Sequence, residues 1–183
     1  MRQVLSALAV ALAVAASPAA AQRGIAVEVR GGAGVGNYAE AGAEFELAPQ
    51  PSLGAAVSYA ALRSVEVYAG YSRTEFGCDG GFCAGRGMTF TSSGVDAGVR
   101  LSLPVPASPW LRLGVVSHTL DFASESGEPR SGESSSGVGF EAGGGVEVRL
   151  GNRLSVTPGV RYVRYGEQTV AMVVGDVGMR IRF

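Results

Sequence analysis

Residues 169–183 read TVAMVVGDVGMRIRF, and their reading decides the fold. The odd positions are Ala171, Val173, Gly175, Val177, Met179, Ile181 and Phe183, whereas the even ones include Asp176, Gly178, Arg180 and Arg182. Apolar and polar residues alternate with period two to the last residue, the pattern of a β-strand with two unlike faces. The strand carries no polar tail, so the C-terminus is expected to be part of the fold.

The other end has a different texture. Arg2 precedes an apolar run over residues 4–16; Ser17 and Pro18 interrupt it, and Ala19, Ala20 and Ala21 supply small residues before Gln22. This is the pattern of a signal peptide cleaved after residue 21, leaving residues 22–183 as one domain. The run is too short for a membrane-spanning helix, and no later window offers the ~18 consecutive apolar residues one needs. The formal charge is −1, which argues against a nucleic-acid partner. The 28 glycines show no collagen period and suit strands in which bulky neighbours pack closely.

Cys78 and Cys83 flank Asp79, Gly80, Gly81 and Phe82. Behind an export signal, a disulfide across this short reversal is the economical reading, contributing about 2 kcal/mol through chain entropy. A metal site is the alternative, but two cysteines without His or Cys companions are a poor ligand set. No metal or cofactor is expected.

Working outward from the final strand, seven more alternating segments appear. The first runs from Gly24 through Val35; residues 38–47 continue the alternation, which offers a lengthened hairpin in place of a loose loop, and Pro49 and Pro51 are expected to end it. The glycines of residues 31–36 do not give a phosphate-binding spacing, and no amphipathic helix follows them. The second strand covers residues 53–60 and the third starts at Val65, with a loop expected over 76–87. The fourth covers 88–103, ended by prolines at 104, 106 and 109. The fifth covers 110–122; the Ser, Glu and Gly-rich segment 121–136 is expected to be solvated. The sixth covers 137–150 and the seventh 154–164.

Eight antiparallel strands also make soluble ligand-binding barrels, so alternation alone leaves the class open. Charge placement separates the two. The polar faces collect Glu28, Glu66, Asp96, Glu141, Glu147 and Asp176 with Arg30, Arg100, Arg112, Arg149, Arg161, Arg180 and Arg182. This near-balance predicts mutual pairing in an enclosed lumen. The opposite faces carry no charge at their centres, as lipid demands, since an Arg at the bilayer midplane costs about 2–4 kcal/mol. Links after strands two, four and six read as short and those after one, three and five as long, the asymmetry of a barrel that crosses a membrane. Closure removes strand edges that hydrocarbon cannot satisfy. Tyr68, Tyr71, Trp110, Tyr162 and Phe183 are candidates for interfacial girdles.

The terminus from Val177 to Phe183, the aromatic-glycine strand Tyr68-Ala69-Gly70-Tyr71 and the Glu/Arg interior resemble the small eight-stranded outer-membrane barrels typified by OmpA and OmpX. The resemblance covers residues 25–183. It implies an all-β, eight-stranded antiparallel up-and-down transmembrane barrel behind a cleaved leader, in the outer membrane of a Gram-negative-type bacterium. It also implies outer-membrane lipid and the barrel assembly machinery as partners, with Phe183 as the C-terminal assembly signal. The chain departs from OmpA in having no peptidoglycan-binding domain after the barrel, so a cell-wall tether is not expected.

Chemistry is less evident. His118 is the single histidine, beside Ser117 and three residues before Asp121. Adjacent strand residues face opposite sides, so Ser117 and His118 do not make a catalytic pair on a regular strand; a Ser would have to approach from another strand. No enzyme is expected. Eight strands leave a lumen just filled by side chains, so the ions are expected to plug it, with Arg161 near Glu141 or Glu147. The loops then carry specificity, presented outside the cell to an extracellular partner whose identity the residues do not give. A structural or surface-interaction role leads; a narrow solute channel, a lipid-modifying enzyme and a soluble periplasmic barrel follow in that order.

Overall fold

The computed structural model describes residues 24–40, 43–77, 89–103, 105, 107–123, 135–165 and 169–183. The expected leader and the Cys78/Cys83 pair lie outside these residues. Eight strands follow one another: β1 (Ile25–Glu40), β2 (Ala43–Leu62), β3 (Val65–Gly77), β4 (Thr89–Ser102), β5 (Ser108–Ala123), β6 (Ser135–Arg149), β7 (Leu154–Tyr165) and β8 (Thr169–Arg182). Each pairs antiparallel with the next, and β1 pairs with β8 from Ala26↔Arg182 to Ala39↔Thr169, closing the barrel. Closure leaves no strand edge unpaired.

The turns joining β2 to β3, β4 to β5 and β6 to β7 lie at the end that holds Ile25 and Arg182; we call it the turn end. Residues 78–88 and 124–134 connect strands at the opposite, loop end. The link after β1 departs from the expected long loop. β1 and β2 pair out to Glu40↔Ala43, so the alternating residues 38–47 lengthen a hairpin.

Proline does not end β2 as expected. Pro51 keeps its pairing with Ala33 on β1, and the missing N–H groups fall where the β2–β3 register is irregular, between Ala48 and Ser52. Pro109 likewise sits inside β5, where its carbonyl accepts the Leu103 N–H at 3.0 Å. At Pro158 the β6–β7 ladder is interrupted between Gly145↔Gly159 and Val148↔Val156, while the β8 side keeps Pro158↔Val177. In each case the strand uses proline's carbonyl or an irregular edge, which a residue-by-residue reading does not reveal.

The two faces of the wall are unlike. Val95, Val99, Leu113, Val146, Val160 and Val177 are exposed on the outer surface. Their sequence neighbours Asp96, Arg100, Arg112, Glu147, Arg161 and Asp176 are buried inside the cylinder. A water-soluble barrel has the reverse arrangement; this one has the faces of a barrel surrounded by hydrocarbon.

Candidate functional site

The lumen is the place where chemistry-bearing side chains converge, and it is built in tiers along the barrel axis. Nearest the turn end runs the ion chain Glu66, Arg180, Glu28, Arg100, Glu147, Arg182. Arg180 Nη2 bonds Glu66 Oε2 and donates to Ser58 Oγ at 3.0 Å, while its Nη1 lies 4.0 Å from Glu28 Oε2. Arg100 then bridges Glu28 at 2.9 Å and Glu147 at 3.0 Å, and Arg182 reaches the other Glu147 oxygen at 2.5 Å. Three carboxylates alternate with three guanidiniums. The chain is electrically neutral within itself.

A second chain lies above it: Arg30, Asp96, Arg112, Glu141, Arg161, Asp176. Asp96 Oδ2 accepts from Arg30 at 3.3 Å and from Arg112. Arg112 Nε also contacts Glu141 Oε1; Arg161 joins Glu141 at 3.4 Å and Asp176 at 2.7 Å. Here too three acids meet three arginines, all buried. Tyr68 donates its hydroxyl to Glu141 Oε1 at 2.6 Å, and the Arg112 guanidinium lies 3.7 Å from the centre of the Tyr68 ring.

These large groups need room, and glycine supplies it. A Cβ on Gly114 would overlap the Tyr68 hydroxyl, and one on Gly159 would come within 2.5 Å of the Trp110 ring. Trp110 in turn lies under Arg100, whose guanidinium carbon is 4.8 Å from the ring centre.

Toward the loop end the ions give way to hydroxyls and then to hydrocarbon. Ser52 and Thr74 share a hydrogen bond of 2.8 Å, and Ser92 Oγ lies 3.0 Å from His118 Nδ1. Above them Phe76, Phe90, Val116, Leu120, Val163, Val170, Met172 and Val174 form one packed cluster, none more than 4% exposed.

Each candidate residue can now be located. Glu28, Arg30, Glu66, Asp96, Arg100, Arg112, Glu141, Glu147, Arg161, Asp176, Arg180 and Arg182 all belong to the two chains. Arg161 pairs with Glu141; Glu147 pairs with Arg100 and Arg182 instead. Arg149 is the correction. It shares the inward phase of Glu147, but it stands at the very end of β6, beyond the lumen, and is exposed. The girdle set is corrected as well: Tyr68 and Trp110 are buried inside, whereas Tyr71 and Tyr162 face outward and Tyr162 packs against Phe140 at 5.9 Å. Phe183 is half-buried, its N–H donated to the Ile25 carbonyl at 2.9 Å.

Ser117 and Asp121 are exposed, while His118 is buried and paired with Ser92 from β4. Sequence reasoning did not find Ser92. Its parity with Asp96 and Arg100 on the same strand places it on the inner face. The apolar tier was missed too, although residues 170–174 are apolar at even as well as odd positions.

Residues 6–179 match the family described as outer membrane protein beta-barrel domain. Sequence comparison with curated proteins finds no match. Among solved structures, Neisserial surface protein A (NspA) is similar at a TM-score of 0.61 and 15% identity, covering 87% of this chain and 97% of that one. The outer membrane protein OprG of Pseudomonas aeruginosa gives a TM-score of 0.59 and 14% identity over 88% and 97%. Ail, the attachment invasion locus protein of Yersinia pestis, solved with the heparin analogue sucrose octasulfate, gives 0.54 and 17% over 87% and 99%. At these identities the likeness is one of fold.

Proposed function

The chain belongs to the outer membrane protein beta-barrel domain family, and on that footing we propose that it is a non-enzymatic scaffold whose sealed lumen holds loops at the cell surface. Family membership carries a bacterial outer-membrane location. Export through a leader of residues 1–21, recognition of Phe183 by the barrel assembly machinery and a disulfide between Cys78 and Cys83 belong to the same proposal. The turn end then faces the periplasm and the loop end the exterior, as expected for barrels with short turns on one side.

The filled lumen carries this reading. Two neutral ion chains and an apolar plug occupy the space that a channel needs for water, and eight strands leave little more than side-chain room. The ions pair with one another and are not arrayed along a passage. A single-channel recording of purified protein in planar bilayers is expected to show no steady conductance; a large, stable ohmic step overturns the sealed lumen. The Ser92–His118 pair lends no support to a lipid-modifying enzyme, because it lies inside the cylinder beneath Phe90 and Leu120 with Ser92 fully buried, away from lipid on the outside.

Specificity then rests with the segments at the loop end. Residues 78–88 and 124–134 contain Asp79, Glu125, Glu128 and Glu133 against Arg86 and Arg130. This excess of acidic residues suits a neutral or cationic partner better than a polyanion of the kind bound to Ail. Deleting residues 124–134 is expected to remove adhesion of expressing cells without removing the barrel from the outer membrane; unchanged adhesion makes that segment a solvated spacer.

A further inference from the structure

Outside the lumen, charge is distributed unequally between the two ends. The outward-facing ions described near the loop end are Arg73, Glu75, Asp121 and Arg164, two of each sign, with Arg73 and Glu75 joined at 2.8 Å. The turn end differs. Residues 61–64, 103–107 and 150–153 contain no Asp or Glu. Arg63 in the β2–β3 turn, Arg149 at the end of β6 and Arg153 in the β6–β7 turn are all exposed. Glu66 and Glu147, the acids nearest in sequence, are committed to Arg180, Arg100 and Arg182 inside the lumen.

We propose that these three arginines form a rim that binds the phosphate groups of anionic phospholipids in the leaflet around the turn end, an inference that rests on the membrane reading above. Position argues for lipid over a small ligand. The β2–β3 and β6–β7 turns lie on opposite sides of an eight-stranded cylinder, so Arg63 is separated from Arg149 and Arg153 by the barrel itself. A small ligand does not reach both sides, whereas a ring of lipid surrounds them. The neighbouring residues agree. Arg63 follows Leu62, which is 69% exposed, and Leu150, at 61%, lies between Arg149 and Arg153. Leu62 and Leu150 extend the apolar outer band, and Arg63 and Arg153 stand in the turns just past it, where an aliphatic stem can stay with hydrocarbon while the guanidinium reaches the headgroup; Arg149, in phase with the inner face, adds its exposed charge at the mouth. Guanidinium groups bind phosphate bidentately. Trp110 and Tyr68, which an interfacial belt would have used, are in the lumen.

The test is electron paramagnetic resonance of the full barrel reconstituted in phosphatidylcholine bilayers, with spin-labelled phosphatidylglycerol or phosphatidylcholine as the probe. The wild type is expected to hold the labelled phosphatidylglycerol about threefold more strongly than phosphatidylcholine at low salt, and the preference should fade as salt screens it. The triple substitution Arg63→Gln, Arg149→Gln, Arg153→Gln should bring the ratio close to one. Arg63→Lys, Arg149→Lys, Arg153→Lys should keep most of it. Equal retention of both lipids by the wild type, or an unchanged ratio in the glutamine variant, overturns the proposal. So does a wild type that shows no lipid preference but sediments with purified peptidoglycan in a manner the glutamine variant loses, which assigns the rim to the cell wall. Failure of the chain to form a heat-modifiable barrel in bilayers is a separate result, and it overturns the membrane reading together with this one.

Discussion

The ionic tiers and the apolar tier of the lumen lie on the same strands a few residues apart, yet different forces hold them. β8 shows the change within one strand: Arg180 and Asp176 face the lumen in the ionic part, and Val174, Met172 and Val170 face it in the apolar part. In the ionic part the charged groups answer to named partners and, Arg182 at the turn end apart, are largely withdrawn from water, so order depends on charge matching. In the apolar part order depends on volume. A barrel in hydrocarbon gains little from burying apolar groups against lipid, so its interior must supply what fixes its shape. Here one end does so with hydrogen-bonded ions and the other with close packing.

The largest effect should come from removing an acceptor shared by several donors. Glu141 serves Arg112, Arg161 and Tyr68; Glu141→Ala takes one of two carboxylates from each of Arg112 and Arg161, leaves the buried chain with an uncompensated positive charge and should cost about 3–5 kcal/mol. Urea unfolding in lipid vesicles measures this. Leu120→Ala in the apolar tier should cost somewhat less, about 3 kcal/mol, through lost contacts and a cavity. Its cost should not change with ionic strength. If Leu120→Ala proves the more damaging of the two, the contrast between the tiers is reversed. Gly114→Ala sharpens it from within the ionic part: the added methyl meets the Tyr68 hydroxyl, and displacing that ring should cost about 1–3 kcal/mol by overpacking. The smallest effect belongs to Arg73→Ala. Its pair with Glu75 is about half exposed, and the change in unfolding free energy should stay below about 1 kcal/mol.

Much of this arrangement was legible before any coordinates. Period-two parity separates Val99 from Arg100 and Val177 from Asp176, and it gives both the strand count and the inward set. The same parity put Tyr68 in phase with Glu66, and Trp110 in phase with Arg112, so their inward positions were readable; residue type alone pointed to the membrane interface. Arg149 has the right parity and the wrong height, because parity says which face and not how far along the axis. The prolines of β2 were misleading for a related reason, since an irregular register absorbs missing donors. Least legible were the pairings. Arg30 on β1 meets Asp96 on β4, and Arg180 on β8 meets Glu66 on β3. These contacts cross the lumen between strands that share no ladder, so neither spacing nor hairpin register predicts them.

The sidedness of the wall is open to one direct measurement, because Trp110 is the chain's single tryptophan and lies in the lumen. Bilayers of brominated-chain lipid quench tryptophans that touch the acyl chains. The native protein should be quenched weakly, and a protein carrying Trp110→Phe with Val177→Trp, whose only indole is on the outer face, should be quenched strongly. Strong quenching of the native protein together with a protected indole at position 177 would mean that the apolar face lies within the cylinder and the ions outside it.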